Sequence, residues 1–468
     1  MEKNRSKNFI KDIFIFAIGG VGSKLLLFLL VPLYTNILTK EEYGTADLVS
    51  TVAELIIPFL SVVIYDAVLR FGLSKYERKE DVLLVALFVW LGSWLIGLLI
   101  IPATRLYSEL YEWRWYLYLY VNISIGSSVF LNYIKVKNMN KLFAVINITQ
   151  TAILVGLNVL FLIVLKWNVR GYLLSSVLSV GLSLIIVIFA GKVIPDLKNA
   201  RIDYLLFKRM IKYSFPLILN NVSWWVIHSS DKIMLELMVG VVALGIYTVA
   251  TKIPSLINVI ISIVSSAWNI SATKEMEDTN DVKFYSDVFN FLTFFVFLAC
   301  ISIVFVLKPF MSVYVGQEFN EAWQYAPLLL VSAVFSAILS YCGSLYDALK
   351  KSVHNMVTTL IAAAINIALN FVFIPSYGIW GAIIGTVVAY FFIAMMRLID
   401  VSRYIKIDFK IPVLATNCIL IIVQAIFVSS DCFKYLVSGI TLVTFLLVNI
   451  TTIKTLLGFI KVKICKKH

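Results

Sequence analysis

The sequence predicts an all-α, polytopic membrane protein of about fourteen transmembrane helices. Of its 468 residues, 60% are hydrophobic and only 14% are charged, whereas a soluble domain carries about a quarter charged residues. The apolar residues are gathered into runs of the length that a spanning helix needs, about 20 residues. The net charge of +13 arises from basic residues that fall mainly between these runs. This pattern excludes a soluble enzyme and indicates a basic membrane face, not a nucleic-acid surface.

The predicted spans leave no linker long enough for a folded extramembrane domain. Two breaks, Val239–Val241 and Pro375–Gly378, are only a few residues long. The longest linker, 192–211, is basic, and we expect it to lie along the membrane surface. The basic stretch from Met1 to Lys11 enters the first span without a cleavage site of small residues, so we expect it to be retained. The spans are 11–37, 45–72, 82–104, 115–134, 142–165, 171–191, 212–238, 242–268, 284–307, 323–348, 354–374, 379–400, 411–430 and 433–456.

The basic residues also predict the orientation. With the N-terminus in the cytoplasm, 29 of the 40 basic residues fall in cytoplasmic segments, 7 in outer segments and 4 inside spans, when residues near a span end (Lys11, Lys212, Arg397, Lys434 and Lys454) are counted with the adjoining segment. Cytoplasmic loops of membrane proteins carry such an excess. A missed or additional span in mid-chain would reverse every later loop and destroy the contrast. Fourteen spans with both termini in the cytoplasm are therefore expected.

Cysteine and histidine give no sign of a metal or disulfide site, because they are isolated and show no paired spacing. The nucleotide-binding pattern GxxxxGK[ST] does not occur either. We therefore expect no cofactor, and transport would have to draw on an H⁺ or Na⁺ gradient or on removal of the product. The cysteines and histidines are Cys300, Cys342, Cys418, Cys432, Cys465, His228, His354 and His468.

Three weak matches suggest an internal duplication. Each joins two stretches about 200 residues apart, and each contains a glycine or tyrosine near a span end. The pairs are 35–44 with 236–245, 133–137 with 346–350, and 170–176 with 380–386. An even number of spans per half keeps both halves in the same orientation, which is a parallel repeat about the membrane normal.

The duplication predicts four parts of the chain. Two six-helix lobes hold spans 1–6 and 7–12, a basic cytoplasmic linker joins them, and two spans with a basic cytoplasmic tail follow. The parts are 1–191, 192–211, 212–400 and 401–468.

Four basic residues lie inside predicted spans, where a central charge costs about 2.5–3.5 kcal/mol and therefore faces a cavity or a partner. They occur in spans 1, 2, 7 and 8, the first helix pair of each lobe. Basic residues outnumber acidic ones deep in the spans, so we predict a cationic cavity for an anionic substrate. The residues are Lys24, Arg70, Lys232 and Lys252.

Four acidic residues are candidate ion-pair partners or sites of H⁺ or Na⁺ coupling: Glu54, Asp66, Asp231 and Asp347. Asp66 and Arg70 are four residues apart, a spacing suited to an ion pair. Glu54 is expected across from Lys24. Both roles stay open for these carboxylates.

Two prolines, Pro58 in span 2 and Pro254 in span 8, lie in helices that are equivalent in the predicted repeat. A proline inside a helix removes a backbone hydrogen bond and kinks the chain. We expect both to act as hinges.

Five stretches carry a family resemblance through their order and spacing: 19–44, 67–71, 230–232, 245–250 and 375–382. Together they resemble the Wzx-type polysaccharide and O-antigen flippases of the multidrug/oligosaccharidyl-lipid/polysaccharide exporter superfamily. The resemblance extends over nearly the whole chain.

This resemblance implies a non-enzymatic transporter in the bacterial plasma membrane. It would carry an undecaprenyl-pyrophosphate-linked oligosaccharide from the cytoplasmic to the outer leaflet by alternating access, for O-antigen, capsule or a similar polysaccharide. The implied partners are membrane lipids, a polysaccharide polymerase and a chain-length regulator. Nucleic acid is not among them.

Two other functions remain open from the sequence. One is a membrane enzyme of the same pathway, a polymerase, ligase or glycosyltransferase, although the outer loops are short and lack a catalytic cluster. The other is a multidrug or small-solute antiporter of the same superfamily. An antiporter of cationic drugs would have a cavity dominated by acidic residues.

Overall fold

The computed structural model describes residues 22, 24, 26–278, 282–349 and 351–455, and all regular structure within them is helical. Eleven of the described helices are long and apolar enough to cross a membrane. The predicted all-α, polytopic membrane fold is therefore confirmed. The basic N-terminus, most of the first span, Lys350 and the basic tail after residue 455 lie outside the described residues.

The chain forms two compact units, of which the first is Met1–Ile233. Its helix α4 continues as a 3₁₀ segment, Ile101–Leu106, and α7 continues as a π-helical segment, Val159–Val164. The helices are α1 (Val31–Ile37), α2 (Lys40–Ser61), α3 (Ile64–Gly72), α4 (Lys79–Ile100), α5 (Ser108–Glu112), α6 (Arg114–Val136), α7 (Asn140–Asn158), α8 (Asn168–Ala190), α9 (Val193–Lys198) and α10 (Tyr204–Val239), the last of which extends beyond the unit.

The second unit is Met234–His468. A 3₁₀ segment, Gln317–Gln324, precedes its third described span. The helices are α11 (Val241–Asp278), α12 (Val282–Tyr314), α13 (Ala326–Ala348), α14 (Ser352–Tyr377), α15 (Ile379–Ser402), α16 (Ile411–Ser429) and α17 (Lys434–Val448).

Each predicted span from the second onward coincides with a described helix or helix pair, and of the first span residues 22, 24 and 26–37 are described and mostly helical. The three spans outside the eleven long apolar helices correspond to Leu26–Ile37 and α17, which are shorter, and to α10, which is long but more polar. The two short breaks predicted in mid-chain are both present. Gly240 (φ +117°) separates α10 from α11, and Gly378 (φ +55°) separates α14 from α15, a backbone region that glycine enters at little cost.

The two units repeat the same internal packing. In the first, α6 packs against α2, α3, α4 and α8, and α8 packs against α7. In the second, α13 packs against α11, α12 and α15, and α15 packs against α14. Counted within the predicted lobes of spans 1–6 and 7–12, the fourth span is thus central in both and contacts the second, third and sixth. This shared pattern supports the duplication that the sequence predicted.

A glycine at the start of the sixth span of each predicted lobe allows that span to approach the fifth span closely. A Cβ atom at Gly171 would lie 3.0 Å from Cβ of Phe161, and one at Gly381 would lie 2.2 Å from the carbonyl oxygen of Phe373. These two glycines belong to one of the three repeat matches. The match therefore has a steric reason, which is the tight turn from one spanning helix into the next.

Gly381→Ala is expected to destabilise the second unit by about 1–3 kcal/mol, because backbone atoms would have to move to admit the methyl group. Gly439→Ala is the matched control, since a Cβ there meets no atom within 4 Å. Alanine has a higher helix propensity than glycine, so the control variant should be as stable as the native protein or slightly more stable. Thermal unfolding of the purified variants in detergent measures both. Equal midpoints for the two would contradict the packing argument.

The second span is interrupted three residues after Pro58. Val62 (φ 50°) and Val63 (φ 54°) adopt the left-handed conformation, which is strained for β-branched residues. The Ser61 hydroxyl accepts a hydrogen bond from the Val63 N–H at 3.1 Å, so part of the broken backbone is satisfied locally. The predicted hinge in span 2 thus lies next to a true helix break. By contrast, α11 continues through Pro254.

Candidate functional site

The first functional cluster is built on the start of α2. Thr39 and Glu42 form a capping box, in which the Thr39 hydroxyl accepts from the Glu42 N–H at 3.2 Å and the Glu42 carboxylate accepts from the Thr39 N–H at 3.0 Å. Such a box satisfies two free N–H groups and determines where the helix begins. Tyr43 and Asp47 follow at a four-residue spacing and therefore share one face of α2.

Lys232 of α10 forms an ion pair with Asp47, with 2.9 Å between its Nζ and the carboxylate Oδ2. The two side chains are only 17% and 10% exposed. Seven residues earlier on α10, the Trp225 Nε1–H donates to the carbonyl of Thr51 at 3.0 Å. Helix α10 is thus attached to α2 at two points, about two turns apart. Asp231, the residue immediately before Lys232, is 4% exposed.

Three tyrosine rings surround this ion pair on the side of α1 and α8. Tyr34 and Tyr172 lie 4.8 Å apart, Tyr34 and Tyr43 lie 5.9 Å apart, and Tyr43 and Tyr172 lie 6.4 Å apart between ring centroids. Tyr43 is 1% exposed and lies close enough to Asp47 and Lys232 to interact with both charges. The ion pair is largely buried, and the lower local polarity of such a site strengthens it.

The other three predicted cations have different surroundings. Lys24 and Arg70 are exposed in the first unit, and Lys252 is half-buried near the middle of the apolar stretch Val241–Ser262 in the second. None of the three forms an ion pair with a described carboxylate of its own unit. Their proposed contact with substrate stays a prediction.

The predicted Asp66–Arg70 ion pair is not formed between these two described residues. Arg70 is exposed at the end of the short helix α3, and the cation whose charge acts on Asp66 is Lys135 of α6. The four-residue spacing is compatible with pairing but does not impose it, because a long exposed arginine side chain gains little from an exposed pair.

The other predicted carboxylates lie apart from one another. Glu54 is exposed on α2, where its charge acts on Tyr120. Asp347 is exposed at the end of α13 and accepts a hydrogen bond from the Asn355 side chain. Their roles in pairing or ion coupling stay predictions.

The second unit contains a buried arginine that the charge count placed in a cytoplasmic segment. Arg397 is 2% exposed and lies within α15. Its guanidinium donates to the hydroxyls of Thr358 (3.0 Å) and Thr359 (2.9 Å) and to the carbonyls of Leu339 (3.1 Å) and Asn355 (3.2 Å). These acceptors belong to α13 and α14, so one side chain joins three helices.

A tyrosine–aspartate pair recurs in the two units. Tyr133 of α6 donates to Asp196 at 2.9 Å, and Tyr346 of α13 donates to Asp400 at 2.8 Å. Lys137 also pairs with Asp196, at 2.7 Å. The two tyrosines are matched in the internal repeat, and each fastens the end of the fourth span to the end of the sixth or to the segment just after it.

Sequence reasoning missed Asp47 and misplaced Arg397. Asp47 lies within the predicted second span, and an acidic residue inside a span is a signal of a buried partner. Arg397 lies five residues before the end of its helix, and the charge count therefore assigned it to the cytoplasmic segment that follows. Only the packing of α13 and α14 around it reveals the buried position.

A family model described as polysaccharide biosynthesis protein matches residues 9–269, which is more than half of the chain. The chain belongs to the polysaccharide biosynthesis protein family. A second model, MatE, matches residues 216–372 of this family member. No curated protein matches this chain.

Solved structures of the same fold support this assignment. The lipid II flippase MurJ in an inward closed conformation is 14% identical, with a TM-score of 0.68 over 94% of this chain and 100% of MurJ. An inward-facing multidrug resistance MATE family transporter of the MOP superfamily is 14% identical, with a TM-score of 0.64 over 81% of this chain and 98% of its own. A MOP superfamily transporter from Pyrococcus furiosus is 16% identical, with a TM-score of 0.59 over 84% and 96%.

At these identities the likeness shows the fold and not the substrate. The resemblance to the multidrug/oligosaccharidyl-lipid/polysaccharide exporter superfamily is confirmed by the family models and the shared fold together. This polysaccharide biosynthesis protein is therefore a multi-pass membrane protein with the architecture of that superfamily.

Proposed function

We propose that the protein moves an oligosaccharide linked to undecaprenyl pyrophosphate from the cytoplasmic to the outer leaflet of a bacterial plasma membrane. The glycan serves a surface polysaccharide such as O-antigen or capsule. Transport proceeds by alternating access with both termini in the cytoplasm, beside a polymerase and a chain-length regulator. Membership of the polysaccharide biosynthesis protein family supports the pathway.

The observation that carries the proposal is that three cations, which the sequence predicts to lie at membrane depth, have no carboxylate partner among the described residues of their own unit. Lys24, Arg70 and Lys252 have no such partner among the described residues. Uncompensated positive charge at membrane depth is costly and is retained where an anion neutralises it. A pyrophosphate is the part of the substrate that is hardest to move through hydrocarbon, and these cations replace its hydration.

Reconstitution into vesicles tests this function directly. A labelled lipid-pyrophosphate oligosaccharide is placed in one leaflet, and its accessibility to an impermeant enzyme on the far side is measured. Transfer by the native chain, and its loss in Lys24→Ala and Lys252→Ala, is the expected result. Each lost charge-assisted contact corresponds to about tenfold or more in rate. The matched control, Lys198→Ala, removes an exposed lysine at the end of α9 and should transfer normally.

The proposal would be contradicted if the well-folded native chain did not transfer the labelled substrate, or if Lys24→Ala and Lys252→Ala both transferred it fully. The dependence of transfer on an imposed H⁺ or Na⁺ gradient identifies the coupling ion. Glu54, Asp66 and Asp231 are the proposed coupling carboxylates.

The match of the MatE model to residues 216–372 favours one second candidate, a multidrug or small-solute antiporter. The same vesicles distinguish it. An antiporter would extrude a cationic dye against a gradient and ignore the lipid-linked substrate, whereas the proposed flippase does the reverse.

A further inference from the structure

A cavity of about 480 Å³ lies in the groove between α14 and α15 of the second unit. Its size is that of a small-molecule site. One end is polar, formed by His354, Asp400 and Arg403, and the remainder is walled by apolar side chains that include Phe392 and Ile399. We propose that this groove binds one anionic phospholipid, with the phosphate at the polar end and an acyl chain along the apolar wall.

The polar end is organised around a single carboxylate. Asp400 accepts a hydrogen bond from the buried Tyr346 at 2.8 Å, and its oxygens lie 3.6 Å from Nδ1 of His354 and 3.9 Å from the guanidinium of Arg403. Asp400 thereby holds the imidazole of α14 and the guanidinium at the end of α15 on two sides of the groove mouth. The Arg403 side chain is 73% exposed, so its other N–H groups remain accessible to a ligand.

A second cation stands at the same end. The Lys351 ammonium lies 5.1 Å from the ring centroid of Tyr404, and that ring contacts His354 edge-on at 6.0 Å. Lys351 and Arg403 against Asp400 leave about one positive charge at the mouth. One positive charge complements a single phosphodiester, which carries one negative charge, better than it complements a pyrophosphate.

The apolar wall has the length of one leaflet. Phe392 and Arg403 are eleven residues apart, which corresponds to about 16 Å along a helix, or half of a hydrocarbon core about 30 Å thick. Val357, Phe392 and Ile399 are 42%, 56% and 62% exposed. The floor is rigid, because Thr358 is held by Arg397. A basic mouth above a leaflet-deep apolar groove fits a phospholipid of the leaflet that the charge pattern assigns to the cytoplasm.

Lipid retention by the purified full-length chain tests the proposal. The protein is exchanged into detergent with phosphatidylglycerol or with phosphatidylcholine of the same acyl chains, and bound lipids are counted by native mass spectrometry. We expect phosphatidylglycerol to be retained preferentially. Arg403→Gln should weaken its retention about fivefold, the effect of one basic residue near a membrane surface. Ile399→Trp, which fills the groove from an exposed position, should weaken it to a similar degree.

Lys406→Gln is the matched control, because Lys406 is an exposed basic residue on the same segment but does not line the groove. It should leave retention unchanged. Equal retention of the two lipids, or equal effects of Arg403→Gln and Lys406→Gln, would overturn the proposal in favour of a general lipid annulus. Displacement of phosphatidylglycerol by stoichiometric polyprenyl phosphate would overturn it in favour of the carrier. None of these outcomes depends on whether the protein transports an oligosaccharide.

Discussion

Asp47→Ala or Lys232→Ala, each alone, is expected to destabilise the protein by about 3–5 kcal/mol, because each removes one partner of a largely buried ion pair and leaves the other charge in place. The Lys232 Nζ atom lies 2.9 Å from Oδ2 of Asp47, and the two side chains are at most 17% exposed. We also expect both variants to abolish surface polysaccharide, since α10 would lose one of its two attachments to α2. Thermal unfolding in detergent and complementation of a deletion strain are the two measurements.

The double variant Asp47→Ala/Lys232→Ala separates stability from function. The double variant leaves neither charge of the pair buried without the other, so its thermal unfolding midpoint should return close to that of the native chain. If Lys232 also serves an anionic substrate, the double variant stays inactive although it is stable. Trp225→Phe is the control at the neighbouring attachment, where one neutral hydrogen bond to Thr51 is worth about 1 kcal/mol. Native-like midpoints for both single alanine variants would contradict the buried-pair interpretation.

Arg397→Lys is expected to destabilise the second unit more than Arg397→Met, although lysine conserves the charge. The planar guanidinium donates four hydrogen bonds in fixed directions to two neighbouring helices, α13 and α14. An ammonium group cannot reproduce that geometry, yet it would remain charged and largely buried. Methionine leaves no charge, and the threonine hydroxyls keep their bonds to the carbonyls of their own helix.

The expected loss for Arg397→Lys is about 3 kcal/mol or more, by analogy with other broken buried charge networks. Thermal unfolding of the three proteins in the same detergent gives the order of stability. Arg403→Lys is the control, because that arginine is exposed and forms only a long contact with Asp400. It should be neutral. A lysine variant at position 397 as stable as the native chain would show that charge alone, without the planar donor array, suffices.

Much of the fold was predictable because the bilayer imposes simple rules on composition. Spanning helices need long apolar runs, and charge collects on one face. These rules predicted thirteen spans, the second to the fourteenth, that coincide with described helices, and they also predicted the tight breaks at Gly240 and Gly378. The duplication was visible only faintly, since packing tolerates many apolar sequences. The duplication is visible at positions where a close helix contact requires glycine, as at Gly171 and Gly381. It is also visible where a hydrogen bond to aspartate requires tyrosine, as at Tyr133 and Tyr346.

The candidate site was less predictable, because pairing depends on distances between helices that are far apart in the sequence. The spacing of Asp66 and Arg70 suggested a pair that does not form, and the nearest sequence neighbour of Lys232 is Asp231, whereas its ion-pair partner is Asp47. The separation of 185 residues between Asp47 and Lys232 carries no periodic signal. The helix break at Val62 was likewise hidden, since valine ordinarily avoids that conformation.

The sequence by itself determined that this chain is an all-α, polytopic membrane protein, and it predicts fourteen spans, a duplication of the first twelve, a basic face and a few cations at membrane depth. Hydropathy and charge suffice for that because lipid solvates every outward face alike. The tertiary structure alone decided which charges are neutralised and which are not. Lys232 is paired and Arg397 is buried among hydroxyls and carbonyls, while Lys24, Arg70 and Lys252 have no carboxylate partner among the described residues of their units. Such differences arise from side-chain contacts between helices, and these depend on packing rather than on any property of one helix.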